Sequence, residues 1–301
     1  MNKILNFGSL NLDIVYTLEH IVRPGETLAA DSVENFCGGK GFNQSIALAR
    51  SGGRVWHAGR LGADGDMLEE ALLQNGVDCS FLARTDGRSG NALIQREHSG
   101  QNSIMLYGGA NQEITTEEID RVLSHFSEGD LLISQNEISH VPYLLDAAWK
   151  RGMKLVLNPS PIDGDILRYP LDRVTWLVIN EIEGAELSGV TAPGEILDAL
   201  LARYPGLTVV LTLGGEGAYY ADSGRRLFHK AMSVPVVDTT AAGDTFLGYL
   251  TGALAAGTDP RQALHLATGA AALAVTRAGA YPSIPTREET EAFLSAQPKG
   301  A

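Results

Sequence analysis

Two rhythms of apolar and polar residues run along this chain. From Thr115 onward, short and almost continuous apolar runs ("DLLISQNE", "KLVLNPS", "TWLVINE", "TVVLTLGG") alternate with amphipathic stretches ("TTEEIDRVLSHF", "VPYLLDAAWKRG", "IEGAELSG", "GEILDALLARYPG"). Runs that are apolar on every side suit strands buried on both faces. Their alternation with helical patterns predicts a doubly wound, mostly parallel α/β sheet covered by helices on both faces. "TTEEIDRVLSHF" opens on the Thr-x-x-Glu pattern of a capping box, and "TLGGEGAYYAD" reads as strand, turn, strand.

Before residue 110 the period changes to two. After an opening strand, "KILNFGSL", alternating segments around Asn11 to Tyr16 and Leu28 to Phe36 flank a turn at Pro24 and Gly25. "GNALIQREH" and "NSIMLYGG", joined by "SGQ", read as a hairpin. Period-two strands want one face against protein and the other wet or partnered, so these segments predict a small antiparallel β lid, built from about 12–37 and 89–109, over a single 1–301 α/β domain. Between the two excursions, a helix starts at Gly39 and ends on two glycines, "RVWHAGRLG" is a strand, and "ADGDMLEEALLQNG" is a helix with Asp64 as its cap.

Composition narrows the class. With 44% apolar and 20% charged residues the chain has the make-up of an ordinary core-forming protein. A net charge of −13, with 23 Lys and Arg residues in no dense run, opposes binding to nucleic acid or to anionic membrane surfaces. No signal-peptide pattern and no apolar run of membrane-spanning length is present, which leads to the expectation of a cytoplasmic location. Cys37 and Cys79 lack ligand spacing and read as free thiols, and His57, His98, His125, His140 and His229 share no metal-ligand spacing.

Candidate chemistry gathers in a few glycine-rich stretches. In "VPVVDTTAAGDTFLGYLTGALAAG", "VPVVD" predicts a strand and the apolar run a helix, so Ala241, Ala242 and Gly243 expose unobstructed N–H groups at a helix start, a nest for an anion. Asp244 lies in the first turn, where the helix dipole favours its ionised form by ~0.3–1 kcal/mol, as a general base requires. The same pattern describes a helix capped by Thr239 or Thr240, with Asp244 only complementing the dipole. "CGGKGFNQS" permits close backbone approach and offers Lys40 and Asn43 as donors, or is a tight turn. Asn11 and Asp13 share a strand face suited to a polyol's hydroxyls, or to water. Asn180 and Glu183 share a helical face able to order water around Mg²⁺, or are helix-start polar residues, and Thr212, Gly214 and Gly217 border a nucleotide or a plain hairpin.

Taken together, "GGKGFNQ" and, some two hundred residues on, "DTTAAGDTF", with "NPSP", "NEIE" and "TLGGEG" between them, resemble the signature regions of the ribokinase-like (PfkB) carbohydrate kinases, across essentially the whole chain. "GGKG-x-NQ", "TAAGDTF" and "AVTRAGAYPS" are more similar to the ribokinases of that family than to its adenosine kinases or phosphofructokinases. The resemblance implies an ATP-dependent phosphorylation of a pentose, D-ribose to D-ribose 5-phosphate, with Asp244 as base and Ala241 to Gly243 as anion hole; the alternatives are another kinase of the family, acting on deoxyribose, a ketohexose or a nucleoside, and a non-catalytic sugar-binding protein on the same scaffold. It implies sugar contacts from Asn11, Asp13, Gly39, Lys40, Asn43 and Glu137, and a nucleotide site at Asn180, Thr212, Gly214, Gly217, Gly243 and Thr268. Glu183 falls in the Mg²⁺ shell, and Asp238, Thr240, Ala274, Arg277, Gly279 and Ser283 match a K⁺ site. It further implies a homodimer formed through the lid. Three positions depart from the family pattern: Phe42 replaces a small residue, either narrowing the pocket or packing beneath it; Glu137 is loosely matched; and Thr268 stands where some members have a histidine.

Overall fold

A computed structural model describes residues 2–297. The strands are β1 (Ile4–Phe7), β2 (Asn11–Leu18), β3 (Ser32–Gly38), β4 (Val55–Leu61), β5 (Asp78–Arg84), β6 (Gly90–Glu97) and β7 (Asn102–Tyr107) in the first part of the chain. They continue with β8 (Leu131–Gln135), β9 (Lys154–Asn158), β10 (Trp176–Asn180), β11 (Thr208–Thr212), β12 (Gly217–Ala221) and β13 (Arg226–Lys230). The helices are α1 (Lys40–Arg50), α2 (Asp66–Gln74), α3 (Thr116–Leu123), α4 (Val141–Lys150), α5 (Glu181–Ser188), α6 (Pro193–Arg203), α7 (Ala242–Ala255), α8 (Pro260–Ala274) and α9 (Arg287–Ala296).

Nine strands form the main sheet in the order β13-β12-β11-β10-β9-β8-β1-β4-β5, parallel from β11 through β5 and antiparallel only at β12 and β13. Alternate residues of each central strand feed two cores. Leu5, Leu132, Leu177 and Val209 pack with α3, α4 and α6 on one face, and Ile4, Ile133, Val178 and Val210 with α1, α7 and α8 on the other. This two-sided burial is why those strands are apolar throughout. The helix ends obey local rules: Thr115 caps α3 and Thr286 caps α9, each in a full capping box.

The second sheet has the order β3-β2-β6-β7. Its outer pairs are antiparallel, while the central pair β2–β6 runs parallel because both excursions leave the main domain in the same direction. Successive residues of β2 are half-buried, but all of β7 is exposed.

Three local expectations are corrected. β3 begins at Ser32, four residues later than Leu28, once the turn and its extended arm have been passed. Asp64 does not cap α2, whose N-cap is Gly65; its carboxylate instead accepts the Ser89 N–H at 2.8 Å, tying down the chain as it enters β6. "VPVVD" is not a strand. Pro235 has no N–H to pair, and the segment is held instead by Val237 and Asp238, whose N–H groups both donate to the Val275 carbonyl at 2.8 and 3.2 Å.

Candidate active site

The strand order reverses between β8 and β1, where the chain leaves β1 toward β4 on one side and β8 on the other. In open α/β sheets this is where the carboxyl ends of strands leave a crevice. Here β1 runs out through Ser9 into β2, β8 runs out through Gln135 toward Glu137, and α1 starts at Lys40. Asp244 reaches the same place from the first turn of α7, which packs along α1. That packing requires Gly248, because a Cβ there would stand 2.4 Å from Ala47 Cβ.

Two amides of α1 bind Asp244. Asn43 Nδ2 donates to Oδ2 at 3.0 Å and Gln44 Nε2 to Oδ1 at 2.9 Å. The surrounding protein desolvates the carboxylate and pushes its pKa up to about 6, against the opposing effects of the Gln44 bond, Lys40 and the Asn43 bond. Glu137 accepts from the Ser9 hydroxyl, from Lys40 N at 3.2 Å and from Lys40 Nζ at 3.1 Å. Desolvation alone would lower the Lys40 pKa, but Glu137 and Asp244 outweigh it and raise it. Asp13 is pushed up to about 6, first by desolvation and then by the nearby Glu137. Asp13, Lys40, Glu137 and Asp244 therefore share one electrostatic environment. The Asp13 carboxylate lies against Gly38, where a Cβ would come within 2.1 Å of Oδ2.

Asn11 opens β2, with Gly39 facing it at the start of α1. Its orientation is set by Asn111, a residue that motif reading passed over. Asn111 is 2% exposed; it accepts Leu10 N at 3.0 Å and donates to Asn11 Oδ1 at 2.8 Å. That bond commits the Asn11 oxygen and leaves its N–H₂ without a hydrogen-bond partner among the described residues. Ser9, Gln44, Gln135 and Asn158 were also passed over. The signal available was a polar residue at the end of an otherwise apolar strand, as in "LLISQ" and "LVLN". Phe42 is fully buried and meets Tyr281 edge-on at 5.4 Å, so it packs beneath the cleft and does not narrow it.

On the other side of Asp244 lies a cavity of about 420 Å³. Thr212, Gly214, Gly217, Ala242, Gly243 and Thr268 line it, with aliphatic walls from Val234, Val236 and Val275. The Thr268 hydroxyl donates to Leu264 O at 2.8 Å and the Thr212 hydroxyl to Ile179 O at 3.3 Å. Just before the lining residues Ala242 and Gly243, Ala241 adopts a left-handed conformation (φ 59°), costing ~1–2 kcal/mol for a residue with a Cβ, which turns the chain into α7. The Ala242 N–H donates to Thr239 O at 3.2 Å, whereas those of Ala241 and Gly243 have no partner among the described residues.

Asn180 and Glu183 do not line this cavity. They form a reciprocal capping box on α5, with Glu183 N donating to Asn180 Oδ1 at 2.9 Å and Asn180 N to Glu183 Oε2 at 3.0 Å. No group of three or more His, Cys, Asp or Glu residues able to hold a metal occurs among the described residues. The Asp238 carboxylate accepts Thr240 N at 2.9 Å, Thr240 Oγ1 at 2.7 Å and Gly279 N at 2.9 Å. Desolvation would raise the Asp238 pKa, but these hydrogen bonds prevail and lower it. Ala274 O accepts Arg277 N, the Arg277 guanidinium turns outward to Glu289 at 2.7 Å, and Ser283, fully buried, donates to Ala280 O.

The cavity thus reaches Gly243, next to Asp244 on the first turn of α7, and Asp244 is bonded in turn to the α1 amides beside Lys40. Residues 1–287 match the pfkB family carbohydrate kinases, and the chain belongs to that family. It is 36% identical over 306 residues to the ribokinase of Haemophilus influenzae, covering 98% of this chain and 99% of that protein. Its fold is similar to the structure of Arabidopsis thaliana ribokinase complexed with ribose and ATP (TM-score 0.89, 30% identity, 98% of this chain and 99% of that one). The ribokinase of Cryptococcus neoformans var. grubii serotype A in complex with ADP is similar at TM-score 0.87 and 31% identity, covering 97% of this chain and 99% of that one.

Proposed function

We propose that this protein is an ATP-dependent sugar kinase that transfers the γ-phosphoryl group of ATP to the 5-hydroxyl of D-ribose, giving D-ribose 5-phosphate. The observation that carries the reading is the meeting of two unlike spaces at Asp244. The polar cleft of Asn11, Asp13, Lys40 and Glu137 suits a polyol, and the aliphatic cavity ending at Gly243 suits a nucleoside. The relatives that are ribokinases, one of them bound to ribose and ATP, support the same assignment.

In this reading Asp244 accepts the proton of the attacking hydroxyl as the O–P bond forms. A base with a pKa raised to about 6 is ionised at neutral pH yet basic enough to take a proton. The free N–H groups of Ala241 and Gly243 face the charge that develops on the transferred group. Asn11 donates to a sugar hydroxyl, Asp13 accepts from another, and Lys40 with Glu137 closes the cleft floor. Asn180 and Glu183 are locked to one another, which fits an outer role in which they order water around a Mg²⁺ that arrives with the nucleotide. When bound, the Mg²⁺ offsets phosphate charge. Asp238, held below its ordinary pKa by its bonds to Thr240 and Gly279, would be the charged oxygen ligand of a K⁺ site, with Thr240, Ala274, Arg277, Gly279 and Ser283 as the other residues of the set.

The four-stranded sheet acts as a lid over the sugar, and its exposed edge and face support a homodimer through it. Ile104 (52%), Met105 (57%), Leu106 (65%) and Tyr107 (57%) of β7 are all open to solvent, an apolar strand edge that a second copy would cover. No described helix is long and apolar enough to cross a membrane. A cytoplasmic location accords with ATP as co-substrate and with two free cysteines.

The test is ADP release measured across ribose, deoxyribose, a ketohexose and a nucleoside, with K⁺ or with a bulky monovalent cation, for the wild type and Asp244→Asn. Turnover led by ribose, stimulated by K⁺ and lost in the variant is the expected result. Full turnover by Asp244→Asn would remove the base assignment, and no turnover on any sugar would remove the kinase reading. Scattering that gives only monomer at micromolar concentration would remove the dimer.

A further inference from the structure

Behind Asp244 a chain of buried side chains runs into the main sheet. Gln44 Nε2 donates to Asp244 Oδ1 at 2.9 Å and to Asn158 Oδ1 at 3.1 Å. Gln135 Nε2 donates to Gln44 Oε1 at 2.7 Å and to Asn6 Oδ1 at 3.0 Å. Asn6 Nδ2 donates to Ser45 Oγ at 2.9 Å and to Gly41 O at 2.7 Å, and Ser45 Oγ meets His57 Nδ1 at 2.7 Å. His57 Nε2 ends the chain on Gly8 O at 3.3 Å. Asn6, Gln44, Ser45, His57 and Gln135 are all fully buried.

An amide flips freely in water, but here each orientation follows from the last. A carboxylate only accepts, so Gln44 must present Nε2 to Asp244, which turns Oε1 to Gln135. Gln135 must then present its own Nε2 to two oxygens at once, leaving its Oε1 buried without a partner. An unpartnered buried acceptor costs ~1–3 kcal/mol, and the flipped amide would set Oε1 against both oxygens. Asn6 is fixed in turn by Gln135 on one side and the Gly41 carbonyl on the other. A carbonyl also only accepts, so His57 carries its proton on Nε2 and takes the Ser45 hydroxyl at Nδ1. Burial supports that neutral tautomer by pushing the His57 pKa down to about 4.

We propose that Gln44 is a positioning residue for Asp244, and that Gln135, Asn6, Ser45 and His57 form the directional chain that holds its amide donor toward the base. This rests on the reading of Asp244 as base. With Asn43 holding Oδ2 at 3.0 Å, pinning Oδ1 at 2.9 Å fixes the carboxylate at both oxygens and leaves its remaining lone pairs for the substrate hydroxyl. The donated bond also favours the ionised form of Asp244 against desolvation. No member of the chain beyond Gln44 touches Asp244, so a role for Gln135 in its titration is specific to this wiring.

The experiment is the pH profile of kcat/KM for ribose in wild type, Gln44→Met, Gln135→Met and Asp244→Asn, with thermal melts and KM for ATP alongside. Gln44→Met is expected to move the acid limb up by about one pH unit, lower kcat at least about tenfold and leave KM for ATP unchanged, since one pKa unit corresponds to a tenfold change in protonation ratio. Gln135→Met should move the limb the same way by a smaller step. If Gln44→Met does not melt cooperatively, Gln135→Met decides by the same profile. A folded variant of either kind with the wild-type limb and kcat within about twofold overturns the positioning role, provided Asp244→Asn is inactive. An active Asp244→Asn overturns the base assignment itself, so the two failures are distinct.

Discussion

Gly248→Ala tests whether the contact between α1 and α7 holds the site together. The added Cβ would stand 2.4 Å from Ala47 Cβ and 2.9 Å from both Ala47 C and Leu48 N, where ordinary contact begins near 3.4 Å. The two helices must therefore open by about 1 Å, since backbone atoms cannot step aside as a flexible side chain would. The same displacement acts on the bonds one turn away. Asn43 to Asp244 at 3.0 Å and Gln44 to Asp244 at 2.9 Å would stretch to about 4 Å, beyond hydrogen-bond reach. Overpacking of this kind costs ~1–3 kcal/mol, which at ~2–4 °C per kcal/mol lowers Tm by roughly 2–12 °C. A misplacement near 1 Å at a reacting group costs up to ~10²-fold in rate. Calorimetry and kcat at saturating ribose and ATP measure the two effects, with Gly194→Ala on α6, where the Cβ meets nothing within 4 Å, as the control. A Tm within about 1 °C of wild type together with kcat within about twofold would refute the reasoning, because it would show that the helices part without cost or that their spacing does not hold the base.

Asp13→Asn separates the stability of the cleft from its function. The Asp13 pKa is raised from 3.8 to about 6, so the folded state binds the proton more tightly than the unfolded chain. Its stabilising contribution is present below about pH 4 and is lost as pH rises through about 6. Asp13→Asn should therefore melt higher than wild type at pH 8 and equally near pH 4, while KM for ribose rises at least about tenfold. A difference in Tm that is independent of pH, or of the opposite sign at pH 8, would contradict the desolvation argument. Asn111→Ala leaves Leu10 N buried without its acceptor and frees the Asn11 amide, so it should lose ~1–3 kcal/mol of stability and raise KM for ribose more than it lowers kcat. A fall in stability with KM for ribose unchanged would reduce Asn111 to a structural role.

Local chemistry alone made much of the fold legible. Strands buried on both faces must be apolar at successive positions, so "LLIS", "LVLN" and "TVVLT" announce a parallel sheet without knowledge of their neighbours. Thr115 and Thr286 satisfy helix N–H groups three residues away, and such a contact is written in the order of residues. The stretch around Ala241 to Asp244 is readable for the same reason, since small residues before an acid at a helix start act within one turn. Where the rule was local but a distant partner competed, the reading failed. Asp64 went to Ser89 and "VPVVD" to Val275, because an unpaired N–H takes the nearest acceptor in space, whatever the sequence separation.

The amino-acid sequence by itself determined the α/β alternation, the helix starts and the glycine-rich stretches that let backbone come close to a ligand. Only the tertiary structure decided which polar residues meet. Gln135 and Asn158 stand out only as polar ends of apolar strands, and Gln44, Asn6 and Asn111 as ordinary amides; nothing in their spacing says that they pair. They become a directional support for Asp244 and Asn11 because the sheet reverses its order between β8 and β1 and brings those ends into one buried place. There water cannot satisfy an amide, so each must find another, and the pairing depends on three-dimensional distance, which no one-dimensional spacing records.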